Sequence, residues 1–226
     1  MYFTIKAKNN IPEMLSLPRF NSYQNSSISI EGALKLYQWN IELSSAYLVP
    51  LHFYEVILRN CVSNAIEASY THSWHNDQSF INSLNIRNKE SINKAISKAK
   101  QNRRVNNPSI GAVIAEMYFI FWERMFTNRY DNAIWGVHLN TVLPNSPSIL
   151  HFSRKRTTIF DSTNKIRKLR NRIAHHEPIF NSNRFNHIEI VADIEKIISW
   201  RCIETKKWLN QRNKVLTILS KKPRDI

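Results

Sequence analysis

The chain has 226 residues, enough for one large or two small domains with a substantial buried core. It is 42% hydrophobic and contains only 3 glycines, a composition that favours packed helices over turn-rich β structure. There are 32 lysines and arginines against 17 aspartates and glutamates, which gives a formal net charge of +15 at pH 7. The expected partner is therefore an acidic polymer, with nucleic acid as the first candidate and a membrane surface as the second.

Neither a membrane-spanning segment nor a secretory signal is expected. The longest apolar run, residues 112–122, has about half the length that crosses a bilayer and contains Glu116. The first ten residues hold no continuous apolar region after their start. Cys61 and Cys202 form neither a disulfide framework nor a Cys-x-x-Cys pair, which suits a reducing compartment. We therefore expect a cytoplasmic protein that does not bind a membrane.

Residues 1–28 and residues 29–226 differ in character. The first segment is rich in asparagine, serine and proline, so we predict a polar N-terminal arm that is extended or loosely attached. From Ser29 onward, apolar residues recur at helical spacing, which predicts a single helical domain over 29–226. Its first helix is expected to break or kink at Pro50, and the next helix is expected over residues 51–68.

The middle of the chain contains its most apolar segment. A loop-like stretch at 74–78 and a mostly polar helix over 89–100 come first. Residues 110–126 are apolar on nearly all sides, so we predict that this segment is the most buried helix and the centre of the core. A short helix at 128–135 and a connection at 144–147 follow.

A basic helix leads into the most unusual stretch of the chain. It begins at the cluster 154–156 and carries further lysines and arginines as far as residue 172. After it, the sequence predicts an amphipathic helix over 188–200, another helix over 204–219 and a basic tail at 221–224.

The stretch Leu169–Pro178 gathers the residues with the most chemical potential. On a helix, Asn171 and His175 lie one above the other, so the amide is expected to hold one ring nitrogen of the imidazole. Arg170 precedes His175 by five residues, about 140° around an ideal helix. The two meet only if the helix frays, if the long arginine reaches round, or if a second copy of the helix supplies the partner.

Arg170, Asn171 and, after three residues, His175 resemble the signature of HEPN domains, and residues 169–180 resemble the Abi-like, or abortive infection, branch of that family. Four segments that precede the motif resemble other recurring blocks of the family and occur in the same order as in the family: Leu36–Asn40, Phe53–Asn60, Tyr118–Trp122 and Trp135. The resemblance covers roughly residues 30–200. It implies an all-α fold: a HEPN-like helical bundle, here with additional helices and the polar N-terminal arm. It also implies a homodimer whose motifs meet at the subunit boundary, and a ribonuclease that acts in bacterial phage defence or as a toxin.

The motif residues suit cleavage of RNA without a metal or another cofactor. The substrate's own 2′-hydroxyl attacks the adjacent phosphate, which would give 2′,3′-cyclic phosphate and 5′-hydroxyl ends and leave DNA intact. His175 is the candidate for proton transfer, Arg170 for stabilising charge on the phosphate, and Asn171 for orienting the imidazole or a phosphate oxygen. Because one histidine cannot easily be both base and acid, two copies of His175 across a twofold axis are attractive.

Several neighbours are candidates for supporting roles. His176 and Glu177 could tune the cleft, although Glu177 would repel a phosphate and is expected to pair with Arg172 or another base. Further candidates lie on the helix predicted over 51–68: Glu55, Arg59 and Asn60. Glu55 and Arg59 are four residues apart, and a purely structural ion pair between them is at least as expected as a role in the site.

The basic clusters are candidates for contacts with the RNA backbone, with solvated surfaces as the alternative. The candidate RNA-binding residues are Arg103, Arg104, Arg154, Lys155, Arg156, Arg167, Lys168 and Arg172. A toxic ribonuclease needs restraint, and an inhibitory antitoxin RNA or a protein antitoxin could supply it. The strong positive charge favours the RNA.

Two alternatives involve no catalysis by this chain. In one, Arg170 and His175 grip a phosphate of an RNA or nucleotide without cutting it. In the other, the protein is a dimeric partner subunit of another enzyme. Histidines at 72, 75, 175, 176 and 187 form only loose groupings, without the carboxylates or cysteines that would complete a metal site.

Overall fold

A computed structural model describes residues 3–181 and 183–223, and within them it contains helices and no strand. The all-α class is therefore confirmed. The helices are α1 (Ile5–Met14), α2 (Leu17–Gln24), α3 (Ile30–Ser69), α4 (Gln78–Ser83), α5 (Ile86–Arg103), α6 (Ile110–Glu116), α7 (Phe119–Arg124), α8 (Gly136–Val142), α9 (Phe152–Ala174), α10 (His187–Arg201), α11 (Ile203–Asn210) and α12 (Val215–Leu219). Short 3-10 turns at Trp74–Asn76 and Asn128–Tyr130 and a π-helical turn at Asp131–Trp135 complete the described elements.

Helix α3 forms the centre of the fold. It contacts α1, α2 and each helix from α7 to α12. The side chain of Ser29 caps its first turn by accepting a hydrogen bond from the Gly32 N–H at 3.0 Å. The helix then continues through Pro50 to Ser69, so the predicted break at Pro50 is wrong. Pro50 is buried in the core, where packing around the helix outweighs the backbone hydrogen bond that a proline cannot donate.

The predicted polar arm is helical and packs on α3. Phe20 and Tyr23, three residues apart on α2, are each 1% exposed. Tyr23 contacts the ring of Tyr37 edge-on at 5.0 Å and the ring of Phe180 at 5.2 Å. Pro18 lies in the first turn of α2, where the missing N–H removes no helical hydrogen bond. The polar composition of this segment concealed the apolar pair, and the expected extended conformation is wrong.

The segment 110–126 is not the most buried helix. It divides into α6 and α7 because the backbone is extended at Met117 and Tyr118. Tyr118 is 53% exposed and accepts a hydrogen bond from Lys98 at 2.9 Å. Helix α7 buries its aromatic residues, whereas α6 buries only Val113. The core is instead built around α3, whose apolar residues cover several faces over a much greater length.

The remaining predicted elements agree more closely with the structure. The polar helix at 89–100 is α5, the basic helix is α9 and the amphipathic helix at 188–200 is α10. The helix expected over 204–219 is divided into α11 and α12. Arg224, in the predicted basic tail, lies outside the described residues.

A buried polar network fixes the chain just after the motif. The Ile179 N–H donates to Asn40 Oδ1 at 2.8 Å, and the Ile179 carbonyl lies 2.8 Å from His187 Nε2. Because a carbonyl can only accept, Nε2 carries the proton, and the other ring nitrogen, Nδ1, accepts from the Tyr47 hydroxyl at 2.9 Å. The network joins α3 and α10 to the segment that leaves α9. It therefore holds the motif turn in place.

The network should make folding sensitive to acid. Burial lowers the pKa of His187 below its usual value, and the charge of Lys222 acts in the same direction. The unfolded chain binds a proton at this histidine below about pH 6.5, so stability should fall as the pH drops through that value. We expect His187→Gln to be less stable than wild type at pH 8 and to show a shallower loss between pH 7 and pH 5.

Urea unfolding at a series of pH values measures this effect. His138→Gln is the matched control, because His138 makes no side-chain hydrogen bond within the described residues. This control should retain the wild-type slope. Equal slopes for His187→Gln and wild type would show that His187 does not contribute to the pH dependence.

Candidate active site

The motif lies where α9 ends, and the backbone explains why it ends there. His175 follows the last helical residue, and its N–H donates to the Asn171 carbonyl at 2.9 Å. His176 has a left-handed backbone with φ 56°, and its N–H donates to the Ile173 carbonyl at 3.0 Å. The Glu177 N–H returns to the Arg172 carbonyl at 2.8 Å. These bonds form a Schellman cap, in which a histidine occupies the position where glycine is usual.

This cap controls how the histidines are presented. A left-handed conformation costs a residue with a Cβ roughly 1–2 kcal/mol, so it persists only where the surrounding structure requires it. Pro178 then prevents the helix from continuing. As a result, His175, His176 and Glu177 are all exposed at the end of α9. The imidazole of His175 is accessible to a substrate.

Glu55 holds Arg170 from the neighbouring helix. Arg170 Nε donates to Glu55 Oε1 at 2.9 Å, and Arg170 Nη1 lies 3.5 Å from Asn171 Oδ1. The predicted pair between Glu55 and Arg59 is therefore wrong, because the crossing of α3 and α9 supplies Glu55 with a closer partner. Arg59 Nε is buried and has no hydrogen-bond acceptor among the described residues. Asn60 is exposed on the same helix.

The expected bond between Asn171 and the imidazole of His175 is also absent from the described structure. The side chain of Asn171 faces Arg170, and Asn171 binds His175 only through its backbone carbonyl. Arg170 and His175 form no hydrogen bond with each other in the single described chain. Helix α9 does not fray at its end, and the Arg170 side chain turns toward Glu55. Two of the three expected ways for Arg170 to meet His175 are therefore not seen in the single chain.

Two cavities lie on either side of the end of α9. The first, which we call the arginine cavity, has a volume of about 510 Å³ and is lined by His52, Glu55, Arg59 and Arg170. The second, which we call the Arg19 cavity, has a volume of about 490 Å³ and is lined in part by Arg19, Tyr37, Asn40, Ser44, Ser45 and His176. Leu48, Ile173 and Ala174 line both. Arg19 and Asn40 were not among the predicted site residues, because both lie at least 130 residues from the motif in the sequence, although Asn40 belongs to the block Leu36–Asn40 that resembles the family.

The expected pairing of Glu177 with Arg172 is confirmed. Arg172 Nη1 lies 2.8 Å from Glu177 Oε2, and Arg172 Nε donates to the Pro178 carbonyl at 2.8 Å. Both contacts stabilise the turn that follows the motif. Arg172 was predicted to bind RNA, but its side chain is used inside the protein.

The other predicted RNA-binding residues divide into two groups. Lys155 is 2% exposed and donates to Asn140, so the prediction that it contacts RNA is wrong. Arg156 pairs with Asp131, and Arg167 pairs with Glu123. The exposed members are Arg103, Arg104, Arg154 and Lys168. A run of basic letters cannot reveal which of its members face the core.

Two further features bear on what the site could bind. Within residues 3–181 and 183–223, no group of three or more histidine, cysteine, aspartate and glutamate side chains is placed to hold a metal ion. Over the same residues, no helix has the length and apolar character needed to cross a bilayer.

The chain is thus an all-helical protein with an arginine, an asparagine and a histidine at a capped helix end. The family model of Abi-like proteins matches residues 2–181, which include α1, α2 and the whole motif. The match covers well over half of the chain, and the protein belongs to the Abi-like family. Membership suggests a role in abortive infection. No curated protein and no solved structure matched the chain.

The pair of Arg167 and Glu123 provides a test of which basic residues are structural. Glu123 is 4% exposed, Arg167 Nε donates to its Oε2 at 2.5 Å and Asn164 donates to its Oε1 at 3.0 Å. Arg167→Ala would leave a buried carboxylate without its cation, and we expect a loss of about 3–5 kcal/mol in the free energy of unfolding. Lys168→Ala, at the exposed neighbouring position, should cost less than about 0.5 kcal/mol.

Urea unfolding of both variants at pH 7 checks this difference. If Arg167→Ala proved as stable as Lys168→Ala, Arg167 would not be needed for folding. It would then be available again as a contact for RNA.

Proposed function

We propose that this protein is a metal-independent endoribonuclease of the HEPN type. The observation that carries the proposal is the presence of two accessible groups, an imidazole and a guanidinium, near the end of α9. His175 presents an exposed imidazole, and Arg170 presents a guanidinium whose side chain is 39% exposed in a cavity of suitable size for a ligand. Membership in the Abi-like family and the net charge of +15 support the same conclusion.

The chemistry follows from these two groups. The 2′-hydroxyl of a ribose attacks the adjacent phosphorus, and the bond from phosphorus to the departing 5′-oxygen breaks. An imidazole exchanges protons near neutral pH, so His175 accepts the proton of the 2′-hydroxyl or gives one to the 5′-oxygen. Arg170 stabilises the negative charge on the phosphate oxygens. The products are a 2′,3′-cyclic phosphate and a 5′-hydroxyl.

Glu55 and Arg59 complete the proposed site from α3. By accepting from Arg170 Nε, Glu55 fixes one edge of the guanidinium and leaves the terminal nitrogens for a phosphate. Arg59 lines the same cavity and forms no ion pair among the described residues, so it can supply a second positive charge. Asn171 orients Arg170 rather than the imidazole.

A homodimer would solve the remaining problem of geometry. Arg170 and His175 form no hydrogen bond with each other in one chain, and the reaction needs both a proton acceptor and a proton donor. Next to the motif, α3 exposes Leu48 by 60% and Ile41 by 47%, and because both side chains also line the Arg19 cavity, the two copies would meet beside that cavity. An apolar patch of this kind is typical of an interface. Two copies joined through it would bring two His175 side chains to a shared cleft.

The biological setting is also part of the proposal. RNA cleavage by an Abi-like protein would act in defence against phage or as a toxin, and it would harm the host unless restrained. The exposed residues Arg103, Arg104, Arg154 and Lys168 could bind the backbone of a substrate RNA or of an inhibitory antitoxin RNA. A protein antitoxin is the other possible regulator.

A second function is favoured by one specific observation. Because Arg170 and His175 lie apart in the single chain, the arginine cavity could hold a phosphate without cutting the nucleic acid. The protein would then be an RNA- or nucleotide-binding module. This reading requires binding without cleavage, which the following experiment detects.

The proposed mechanism is tested by removing the imidazole of His175. Purified protein incubated with RNA in excess chelator should cut it, and His175→Ala should lower the rate by at least about a hundredfold, the usual contribution of a general acid or base. RNA binding should remain, because the basic surface is unchanged. His72→Ala is the control: this exposed histidine pairs with Glu67, far along the chain from the motif.

Analysis of the RNA ends distinguishes the two functions. Cyclic phosphate ends that disappear with His175→Ala support the ribonuclease. RNA that is bound but intact with wild-type protein supports the binding module. Cleavage that survives in His175→Ala would remove the proposed mechanism.

The second prediction concerns the dimer. Leu48→Asp places a charge in the proposed interface, and we expect it to shift the protein to monomers. The rate of cleavage should fall in proportion to the loss of dimer. Val137→Asp is the control, because Val137 is 65% exposed on α8. Sedimentation velocity and cleavage assays on the same samples give both measurements. A monomeric Leu48→Asp protein with full activity would rule out the shared site.

A further inference from the structure

The Arg19 cavity has no role in the chemistry proposed above, although it borders the motif. It is separated from the arginine cavity by the shared wall of Leu48, Ile173 and Ala174. His176 contributes to its lining and directly follows His175. A chain of nucleotides that crossed the end of α9 at Ile173 and Ala174 would therefore have this cavity on one side and the arginine cavity on the other.

The lining of the Arg19 cavity combines one cation and several polar groups with apolar side chains such as Ile41 and Leu48. Arg19, on α2, is exposed and forms no ion pair or side-chain hydrogen bond within the described residues. Ser44 and Ser45 add hydroxyl groups from α3, and no carboxylate is among the residues that line the cavity. The arginine cavity differs in this respect, since it contains Glu55. The Arg19 cavity therefore favours an anion with groups that can form hydrogen bonds.

The walls are also rigid and partly aromatic. Tyr37 is half-buried and is held edge-on against the ring of Tyr23 at 5.0 Å. Asn40 is 4% exposed, and its Oδ1 accepts the Ile179 N–H. The cap of α9 fixes the backbone of His176 in its left-handed conformation. Proteins that bind single-stranded RNA use fixed aromatic side chains to stack on bases and amide groups to form hydrogen bonds with base edges.

We propose that the Arg19 cavity is a nucleotide subsite, which binds the residue on one side of the phosphate that is cut. Arg19 contacts a phosphate of that nucleotide, and Tyr37 with His176 contacts its base. The volume of about 490 Å³ lies within the range of cavities that hold small ligands. This inference rests on the proposed ribonuclease function for its place in the reaction, but nucleotide binding can be measured separately.

Binding is tested with a single-stranded RNA decamer that carries 2′-O-methyl groups throughout, because it lacks the attacking hydroxyl and cannot be cut. Fluorescence anisotropy compares wild type, Arg19→Ala and Arg87→Ala. Arg87 is an exposed arginine on α5 with no side-chain hydrogen bond among the described residues, so its removal changes the net charge equally. We expect affinity to fall about tenfold for Arg19→Ala, as for one charge-assisted hydrogen bond, and by no more than about twofold for Arg87→Ala.

Cleavage gives a second readout that general electrostatics would not change. A pool of unmodified RNAs is cut, and the nucleotides on each side of every cut are identified. Arg19→Ala and Ser45→Phe should alter the base preference on one side only, whereas Arg87→Ala should keep the wild-type preference. Ser45 is exposed, so the phenylalanine fills the cavity without entering the core. Circular dichroism and thermal unfolding of each variant show that the fold is retained.

The outcomes separate this inference from the proposed function. If wild type cuts RNA but Arg19→Ala and Ser45→Phe behave like Arg87→Ala in both assays, the subsite is overturned and the ribonuclease remains. If wild type does not cut RNA but Arg19→Ala binds the decamer about tenfold more weakly than Arg87→Ala, the nucleotide site stands without the ribonuclease. If Arg19→Ala instead changes the oligomeric state and leaves binding of the decamer intact, Arg19 contacts the second copy of the chain rather than a nucleotide, and the proposal is wrong.

Discussion

The crossing of α3 and α9 is the constraint on which the proposed site depends. These helices are far apart in sequence, yet Tyr54 and Thr163 join them through a buried hydrogen bond of 2.7 Å. Burial of Ile166, Leu169 and Ile173 fixes the rotation of α9 about its axis. That rotation turns Arg170 toward Glu55. The core therefore determines where the guanidinium lies, and the ion pair only adjusts its orientation.

The small energy of this ion pair also indicates that it orients Arg170 and does not hold the fold together. Arg170 and Glu55 have side chains that are 39% and 28% exposed, and partly exposed pairs contribute at most about 1 kcal/mol to stability. Arg167 pairs with the buried Glu123, and Lys155 is itself buried and donates to Asn140, so removal of either cation would destabilise the fold much more strongly. One helix thus uses some of its cations to hold the bundle together and leaves one at a cavity. Loss of Glu55 would disturb the direction of Arg170 far more than the fold.

The sequence predicted much of this arrangement, and the physical reasons for its failures can be stated. Helical spacing correctly located α9 and α10, because each has one continuous buried face. It failed at Pro50 and at Tyr118, where packing and local backbone conformation overrode the pattern. The family blocks correctly indicated the Abi-like family, whose model also spans the motif, but the i,i+4 rule gave Glu55 the wrong partner. That rule considers only one helix, whereas Glu55 pairs across two.

The distribution of positive charge on the folded protein also differs from what the runs of basic residues in the sequence suggest. The cluster 154–156 is mostly used within the bundle, since Lys155 is buried and Arg156 pairs with Asp131. The more accessible concentration lies on the C-terminal half of α5 and its cap, where residues 94–104 include five exposed basic residues and no acidic one: Lys94, Lys98, Lys100, Arg103 and Arg104. Helix α5 packs on α6 and α7, away from the residues that form the motif turn. An RNA bound through its backbone would therefore meet this end of α5 as a separate surface, and the groups at the end of α9 would act only on the part of the strand that reaches them.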